Sequence, residues 1–277
     1  MAKLSGKVAL ITGSTDGVGR MVAVRLAGDG ADVIVHGRDA KRGQEVVAEI
    51  EAGGGSAHFI AADLSSLEET QRLAEAVLAR VKRLDLLINN AGIGSGGSGA
   101  TRQVNAAGHE LRFPVNYLAG FELTTRLLGL LKQSAPSRIV NVASAGQQAI
   151  DFEDVMMTRG YSGGRAYTQS KLAQVIFTFD LAERLKGTGV TVNCLHPATY
   201  MATTMVRQAG VTPWNTVETG AEAILNLAIS PEMEGRSGLY FNVLEEARAN
   251  SQAYEPKARD RLRAVSVSLT GLSPLPD

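Results

Sequence analysis

Residues 8–27, VALITGSTDGVGRMVAVRLA, constrain this chain more than any other stretch. VALIT is a short β-branched apolar run of strand type, and from Gly19 onward apolar residues recur at helical spacing. Gly13, Gly17 and Gly19 lie between the two patterns. Glycine permits a tight turn, close backbone approach to a ligand and close helix–strand packing. The first turn of a helix has unpaired N–H groups, so it offers donors to an anion such as a diphosphate. The spacing is G-x3-G-x-G, not the commoner G-x-G-x-x-G, and a merely tight turn is the alternative reading.

The alternation continues along the chain. Strand patterns recur at 32–37, 57–63, 84–92, 137–144, 190–197 and 238–243, most of them followed by a helical pattern. This predicts an α/β fold, a doubly wound Rossmann-type parallel sheet of about seven strands with helices on both faces. Composition does not shift along the chain and no repeat interrupts it, so a single domain over 1–277 is expected, dinucleotide-binding if the glycine turn holds a diphosphate. Residues 92–99, GIGSGGSG, read as a flexible loop. A C-terminal helix over about 247–272 is expected to pack on the domain, with Pro256 a suitable start and Leu262, Val265 and Leu269 on one face.

Lys plus Arg and Asp plus Glu both number 28, so net charge argues for neither nucleic acid nor an anionic membrane as partner. The lone cysteine, Cys194, sits in a β-branched run and reads as a small buried residue, compatible with a reducing compartment. The four histidines lack metal-ligand spacing, so no metal is expected. No apolar run reaches membrane-spanning length and no signal peptide is legible, which predicts a cytoplasmic protein.

Two further places carry chemistry. The second strand ends in VIVHGRD, with Gly37 where an acid would bind ribose hydroxyls and Arg38 after it. A guanidinium suits a 2′-phosphate, which favours NADP(H). NAD(H) remains possible if Arg38 is only a solvated turn residue. Asp63 closes the third strand, where its carboxylate can reach an adenine edge. In RAYTQSKLA, Tyr167 and Lys171 stand four apart and share a helix face. Alone, that pair equally describes a surface helix.

Taken in order, TGSTDGVG at 12–19, AD at 62–63, NNAG at 89–92, Asn116 in PVNYLAG, Ser144 in IVNVAS and YTQSK at 167–171 make the chain resemble the short-chain dehydrogenase/reductase family. The resemblance runs from about residue 7 to 242. It is to the single-domain branch, nearest its retinol-dehydrogenase-like members. It implies a catalytic set of Asn116, Ser144, Tyr167 and Lys171. It implies cofactor contacts from Gly13, Ser14, Thr15, Gly17, Val18 and Gly19 in the turn, and from Arg38, Asp63 and Leu64 at the adenosine end. Asn90, Ala91 and Gly92 would follow, with Tyr167, Lys171 and Pro197 at the nicotinamide. A free phenol titrates near 10, and a lysine cation one turn away favours the phenolate. Ser144 would bond the substrate oxygen, and Asn116 would hold a water linking Lys171 to solvent. The implied activity is that of an NADP-dependent carbonyl reductase or alcohol dehydrogenase. An isomerase or dehydratase on the same fold, or a nucleotide-binding redox sensor or scaffold without turnover, are the alternatives.

The sequence departs from the family pattern in two places. The interval from Ser144 to Tyr167 is longer than in the shortest members, so 151–163 is expected to form an added loop; Tyr161 within it has no lysine four residues on. Ala198 replaces the glycine that many members carry after the sixth strand, which puts Thr199 and Thr203 in doubt as cofactor contacts. Residues 197–217 are expected to form a mobile lid. A substrate pocket lined by Gln147, Phe152, Met156, Met157, Tyr200, Met201 and Trp214 would suit a small lipophilic or aromatic carbonyl or alcohol. Alternatively, several of these side chains pack the loops. Ala173, Phe177 and Leu181 on the catalytic helix suggest a homodimer, unless the added loop covers that face.

Overall fold

The central β-branched runs form strands buried on both faces, which is why they are continuously apolar, whereas the edge run at 56–61 is only part-buried. The computed structural model describes residues 3–97 and 99–273; the ends of the 1–277 span, and position 98 of the 92–99 loop, lie outside the described residues. The first half alternates β1 (Val8–Ile11), α1 (Gly17–Gly28), β2 (Asp32–Gly37), α2 (Ala40–Ala52), β3 (Ser56–Ala61), α3 (Leu67–Arg80) and β4 (Leu86–Asn89). Then come α4 (Ala119–Gln133), β5 (Ser137–Val142), α5 (Gly163–Arg184) and β6 (Val190–His196). The chain ends with α6 (Thr204–Gln208), α7 (Val217–Ile229), β7 (Tyr240–Asn242), β8 (Glu245–Glu246) and α8 (Pro256–Thr270).

The sheet order is β3-β2-β1-β4-β5-β6-β7-β8. β1 to β7 are parallel, as expected, and only the two-residue β8 runs antiparallel, against β7. The order reverses between β1 and β4, which opens a crevice at the carboxyl ends of the strands. Side chains alternate across the sheet. Val8 and Leu10 enter the core shared with Leu73, Leu127 and Val175, whereas Ala9 and Ile11 enter the opposite core with Val22 and Ile224. Cys194 is fully buried, and burial pushes its thiol up to about 12.

The C-terminal helix is shorter than the predicted 247–272. It begins at Pro256, where a missing N–H costs nothing and the residue before proline resists the helical conformation. Leu262 is buried, while Val265 and Leu269 pack partly buried on the same core. Arg263 grips Asp180 of α5 through bonds of 3.0 and 2.7 Å, and Ser266 Oγ lies 2.6 Å from the Tyr117 hydroxyl.

The face of α5 on which a homodimer was argued is interior. Ala173 and Leu181 are fully buried, and the Phe177 ring packs edge-on against Tyr117 and Phe121 at 6.1 and 5.3 Å. Those three residues therefore give no support to pairing of subunits.

Candidate active site

The glycine turn is built by exclusion. A Cβ at Gly19 would lie 2.3 Å from the Gly13 carbonyl oxygen, and one at Gly13 would lie 2.9 Å from Ala91 Cα. Asn90 Nδ2 donates to the carbonyls of Thr12 and Gly13 at 2.9 and 3.1 Å, and Thr12 Oγ1 accepts from the amides of Asn90 and Ala91, both at 3.0 Å. The turn and the NNAG segment thus form one laced cradle, open at the start of α1 where Val18 and Gly19 sit. A cradle that any side chain would fill fits a dinucleotide diphosphate.

Ser14, expected as a cofactor contact, spends its hydroxyl within the protein. Its hydroxyl is turned inward, donating to Ile11 O at 2.7 Å and accepting from His36 N at 2.9 Å. His36, which the sequence reading passed over, accepts from Gly13 N through Nδ1 at 3.1 Å. It is buried, and desolvation pushes its pKa from 6.5 down to about 4, with the Ala62 backbone and Asp63 offsetting only part. Native His36 is therefore neutral where the unfolded chain already binds a proton. Its stabilising contribution is full above pH 6.5 and is lost as pH falls toward 4, on the order of 3 kcal/mol. Urea unfolding at pH 7 and pH 4.5 should show wild type losing more stability than His36→Asn; equal losses would reject this role.

The end of β2 explains the absent acid. A Cβ at Gly37 would lie 2.5 Å from Thr15 Cγ2 and 2.7 Å from Thr15 Oγ1. With Thr15 in place, no side chain fits at position 37. Arg38 is 72% exposed and lies 3.9 Å from Asp63, whose other oxygen caps Ser65 N at 2.9 Å. Arg42 adds a second guanidinium, 3.7 Å from both Asp16 and Asp39. Leu64 beside this corner is buried.

Ser162 caps α5 by accepting from Arg165 N at 3.4 Å, so the helix starts at Gly163, four residues before Tyr167. Tyr167 and Lys171 share one face as the spacing predicts: Lys171 Nζ lies 6.0 Å from the Tyr167 ring centroid. Lys171 is buried, and Nζ donates to Val142 O at 2.8 Å and to Gln174 Oε1 at 2.9 Å. Desolvation pushes Lys171 down to about 7. The same burial raises the Tyr167 phenol, and the neighbouring Ser144 hydroxyl offsets part of the rise. The phenol therefore stands above its ordinary value, against the expectation that a lysine one turn away would favour the phenolate. Ser144 lies two residues beyond β5, and its Oγ accepts from Gly146 N at 3.0 Å.

Asn116 sits in a π-helical turn, Pro114–Leu118, that leads into α4. Its Oδ1 accepts from Ile93 N at 2.7 Å, and its Nδ2 donates to Ile93 O at 3.1 Å and Ser170 Oγ at 2.9 Å. The carboxamide thus braces the loop after β4, a use the sequence did not suggest. A Cβ at Gly92 would lie 3.3 Å from Asn116 Oδ1 and 3.4 Å from Lys171 Nζ, so all three meet at one point.

Residues 197–217 cross the turn like a strap. At the base, Asn215 Nδ2 donates to Thr199 O at 2.6 Å, and Thr199 Oγ1 lies 3.0 Å from His196 Nε2. At the crown, Thr204 Oγ1 donates to Asp16 Oδ2 at 2.7 Å, lowering the Asp16 pKa. Thr203 Oγ1 caps α6, so the hydroxyls of Thr199 and Thr203 are both engaged within the strap. Pro197 is buried at the strap's root.

Several expected pocket residues pack instead. Met157 is 3% exposed, Phe152 lies under Arg261 at 4.8 Å, and Met156 packs on the core. Met201 packs on the core that contains Val18. Tyr200 and Trp214 pair edge-to-face at 5.0 Å and are 43% and 72% exposed. Gln147 lines an open cleft.

Tyr161, set aside by its spacing, belongs to a buried cluster. Its hydroxyl accepts from Arg112 at 2.7 Å and donates to Glu110 Oε1 at 3.2 Å, and Arg112 pairs with Glu110 at 2.7 Å. Arg112 also donates to Gly94 O and Ser95 O at 2.9 and 2.8 Å. The cluster ties the loop after β4 to the added loop before α5.

Among the described residues no helix is long and apolar enough to cross a membrane. A family model described as short chain dehydrogenase matches residues 7–213. Retinol dehydrogenase 12 of Bos taurus is 37% identical over 283 residues, covering 98% of this chain and 88% of the relative. Retinol dehydrogenase 14 of Mus musculus is 36% identical over 296 residues, covering 97% and 87%. A crystal structure of an uncharacterized protein from Mycobacterium paratuberculosis superposes with TM-score 0.82 at 27% identity, over 99% of this chain and 96% of that one. The Pseudomonas aeruginosa RhlG/NADP active-site complex gives 0.72 at 28% identity, over 87% and 95%.

Proposed function

The chain belongs to the short-chain dehydrogenase/reductase family, and on that premise we propose that it is an NADP(H)-dependent oxidoreductase acting on a lipophilic carbonyl compound or alcohol. The observation that carries the reading is the buried convergence of Lys171 on the Tyr167 ring beside Ser144. The retinol dehydrogenase relatives support a lipophilic substrate, and the NADP complex among the related structures supports the cofactor.

The dinucleotide, when bound, supplies the hydride acceptor or donor. Gly13, Gly17 and Gly19 would admit its diphosphate, with Thr15, Arg38 and Arg42 around the 2′-phosphate. Ser144 Oγ would orient the substrate oxygen by a hydrogen bond. The Tyr167 hydroxyl would give a proton to that oxygen in reduction and take one in oxidation. Lys171, poised near pH 7 by burial, would hold the tyrosine's charge in check as the proton moves. Asn116 would keep the Ile93 loop closed over this group.

The cofactor assignment is tested at Arg38. NADPH should bind wild type more tightly than NADH, and Arg38→Asp should reverse the order, because a carboxylate repels the 2′-phosphate. An exposed charge-assisted pair of this kind is worth about tenfold or more in Kd. Fluorescence titration of both dinucleotides decides it; tighter NADH binding by wild type would sink NADP(H) as the cofactor. The strap over 197–217 is proposed to act as a lid. NADP+ should slow hydrogen exchange across 200–215, and unchanged exchange at saturation would reject that role. A screen of NADPH oxidation over aryl ketones, quinones, steroids and long-chain aldehydes tests the activity, which fails if none turns over.

A further inference from the structure

A second cleft, of about 360 Å³, opens behind Ser144. It lies between Ala145 and Gln147 after β5, Tyr240 and Asn242 of β7, and residues 247–250. Its wall is fastened to the proposed reaction centre. Tyr240 Oη and Gln147 Nε2 both donate to Ser144 O, at 3.2 and 2.8 Å, and Gln147 Oε1 accepts from Asn250 N at 2.9 Å. A Cβ at Gly146, between two of the lining residues, would lie 3.5 Å from Ser144 Oγ and 3.8 Å from the Tyr167 ring.

The cleft is furnished with unused donors. Arg248 stands on its rim with its guanidinium 5.2 Å from the Tyr254 ring centroid. That ring is fixed in turn: Tyr254 Oη accepts from Ala249 N at 3.0 Å, and the ring packs on Phe179 at 5.2 Å. Nearby arginines are engaged, Arg236 with Glu246, Arg261 with Glu153 and Arg263 with Asp180. Among the described residues Arg248 has no carboxylate partner. Asn250 Oδ1 accepts from Gln252 N at 3.1 Å, which leaves its Nδ2 pointed at no protein acceptor, and the Asn242 amide is likewise unbonded. A stacked guanidinium has lost most of its side-chain freedom and presents a planar fork that matches a carboxylate. Two primary amides beside it supply the remaining donors.

We propose that this cleft receives the anionic end of the substrate, so that the enzyme acts on amphiphilic oxo or hydroxy acids whose carboxylate is held by Arg248, Asn242 and Asn250. The assignment rests on the oxidoreductase reading above and narrows its substrate class. Charge-assisted hydrogen bonds in a partly enclosed cleft predict a preference for the acid over its neutral ester of roughly 10–100-fold in kcat/KM.

The test uses ω-oxo carboxylic acids of increasing chain length, each beside its methyl ester, as substrates for NADPH oxidation. Wild type should favour the acid at the lengths that bridge the cleft and Tyr167. Arg248→Gln should bring the acid-to-ester ratio close to one, chiefly through KM, and Arg248→Lys should restore part of it. Equal kcat/KM for acid and ester at every length, or a ratio that survives Arg248→Gln, overturns the proposal. If neither acid nor ester is turned over, it is the oxidoreductase reading that fails. Calorimetry with the same acids on the NADP+-loaded protein then still decides the cleft: binding lost in Arg248→Gln upholds it, and absent binding overturns it.

Discussion

Tyr167→Phe is expected to lower kcat by about 10²–10⁴-fold, the usual worth of a placed proton-transfer group. The substitution removes one hydroxyl and keeps the half-buried ring, so fold and NADPH binding should survive. The loss should appear in kcat and kcat/KM together, as it does for a group that acts only in the transition state. Tyr161→Phe is the internal control. Its hydroxyl is spent between Arg112 and Glu110, so kcat should stay near wild type while stability drops by about 1–2 kcal/mol. Full kcat in Tyr167→Phe would return the Tyr167–Lys171 pair to the role of an ordinary helix face and leave the reaction without a proton donor.

Arg112→Met should have the largest effect on stability. Arg112 and Glu110 are 3% and 2% exposed, and removing one partner strands the other's charge away from water. Such losses run to about 3–5 kcal/mol, which at this size lowers Tm by roughly 6–20 °C. The variant also frees the carbonyls of Gly94 and Ser95. Ser95 O presses on the start of α5, where a Cβ at Gly163 would lie 2.1 Å away. Pairing Arg112→Met with Glu110→Gln should recover part of the loss, because the stranded carboxylate is then gone. A Tm within about 2 °C of wild type for the single variant would show the pair to be energetically neutral.

What could be read from the sequence, and what could not, divides by range. The alternation of β-branched runs and helical periods is local, so strand positions and the parallel sheet were legible. The glycine turn was legible because steric need leaves few substitutes. Tyr167 and Lys171 were legible because four residues make one helical turn. The partners of Arg112 were not, since Tyr161 lies 49 residues away and only folding brings it near. His36 looked like any residue at a strand end until Gly13 N was seen to need an acceptor there. The apolar residues of the added loop and strap misled for a physical reason. Hydrophobicity reports that Met157 and Phe152 avoid water, but not whether they do so by lining a pocket or by filling the core.

The π turn at Pro114–Leu118 makes chain length itself a functional variable. A π turn holds one residue more than the α-helix around it. The widened turn absorbs that residue, so the chain on either side keeps the phase of an unbroken helix; deleting one residue of the five would close the turn to α-helical spacing and shift the Asn116 carboxamide relative to Ile93. Arg112 and α4 would keep their places, yet the carboxamide would lose its grip on the backbone of Ile93. Residue-by-residue substitution across 114–118 would not expose this dependence; a one-residue deletion would.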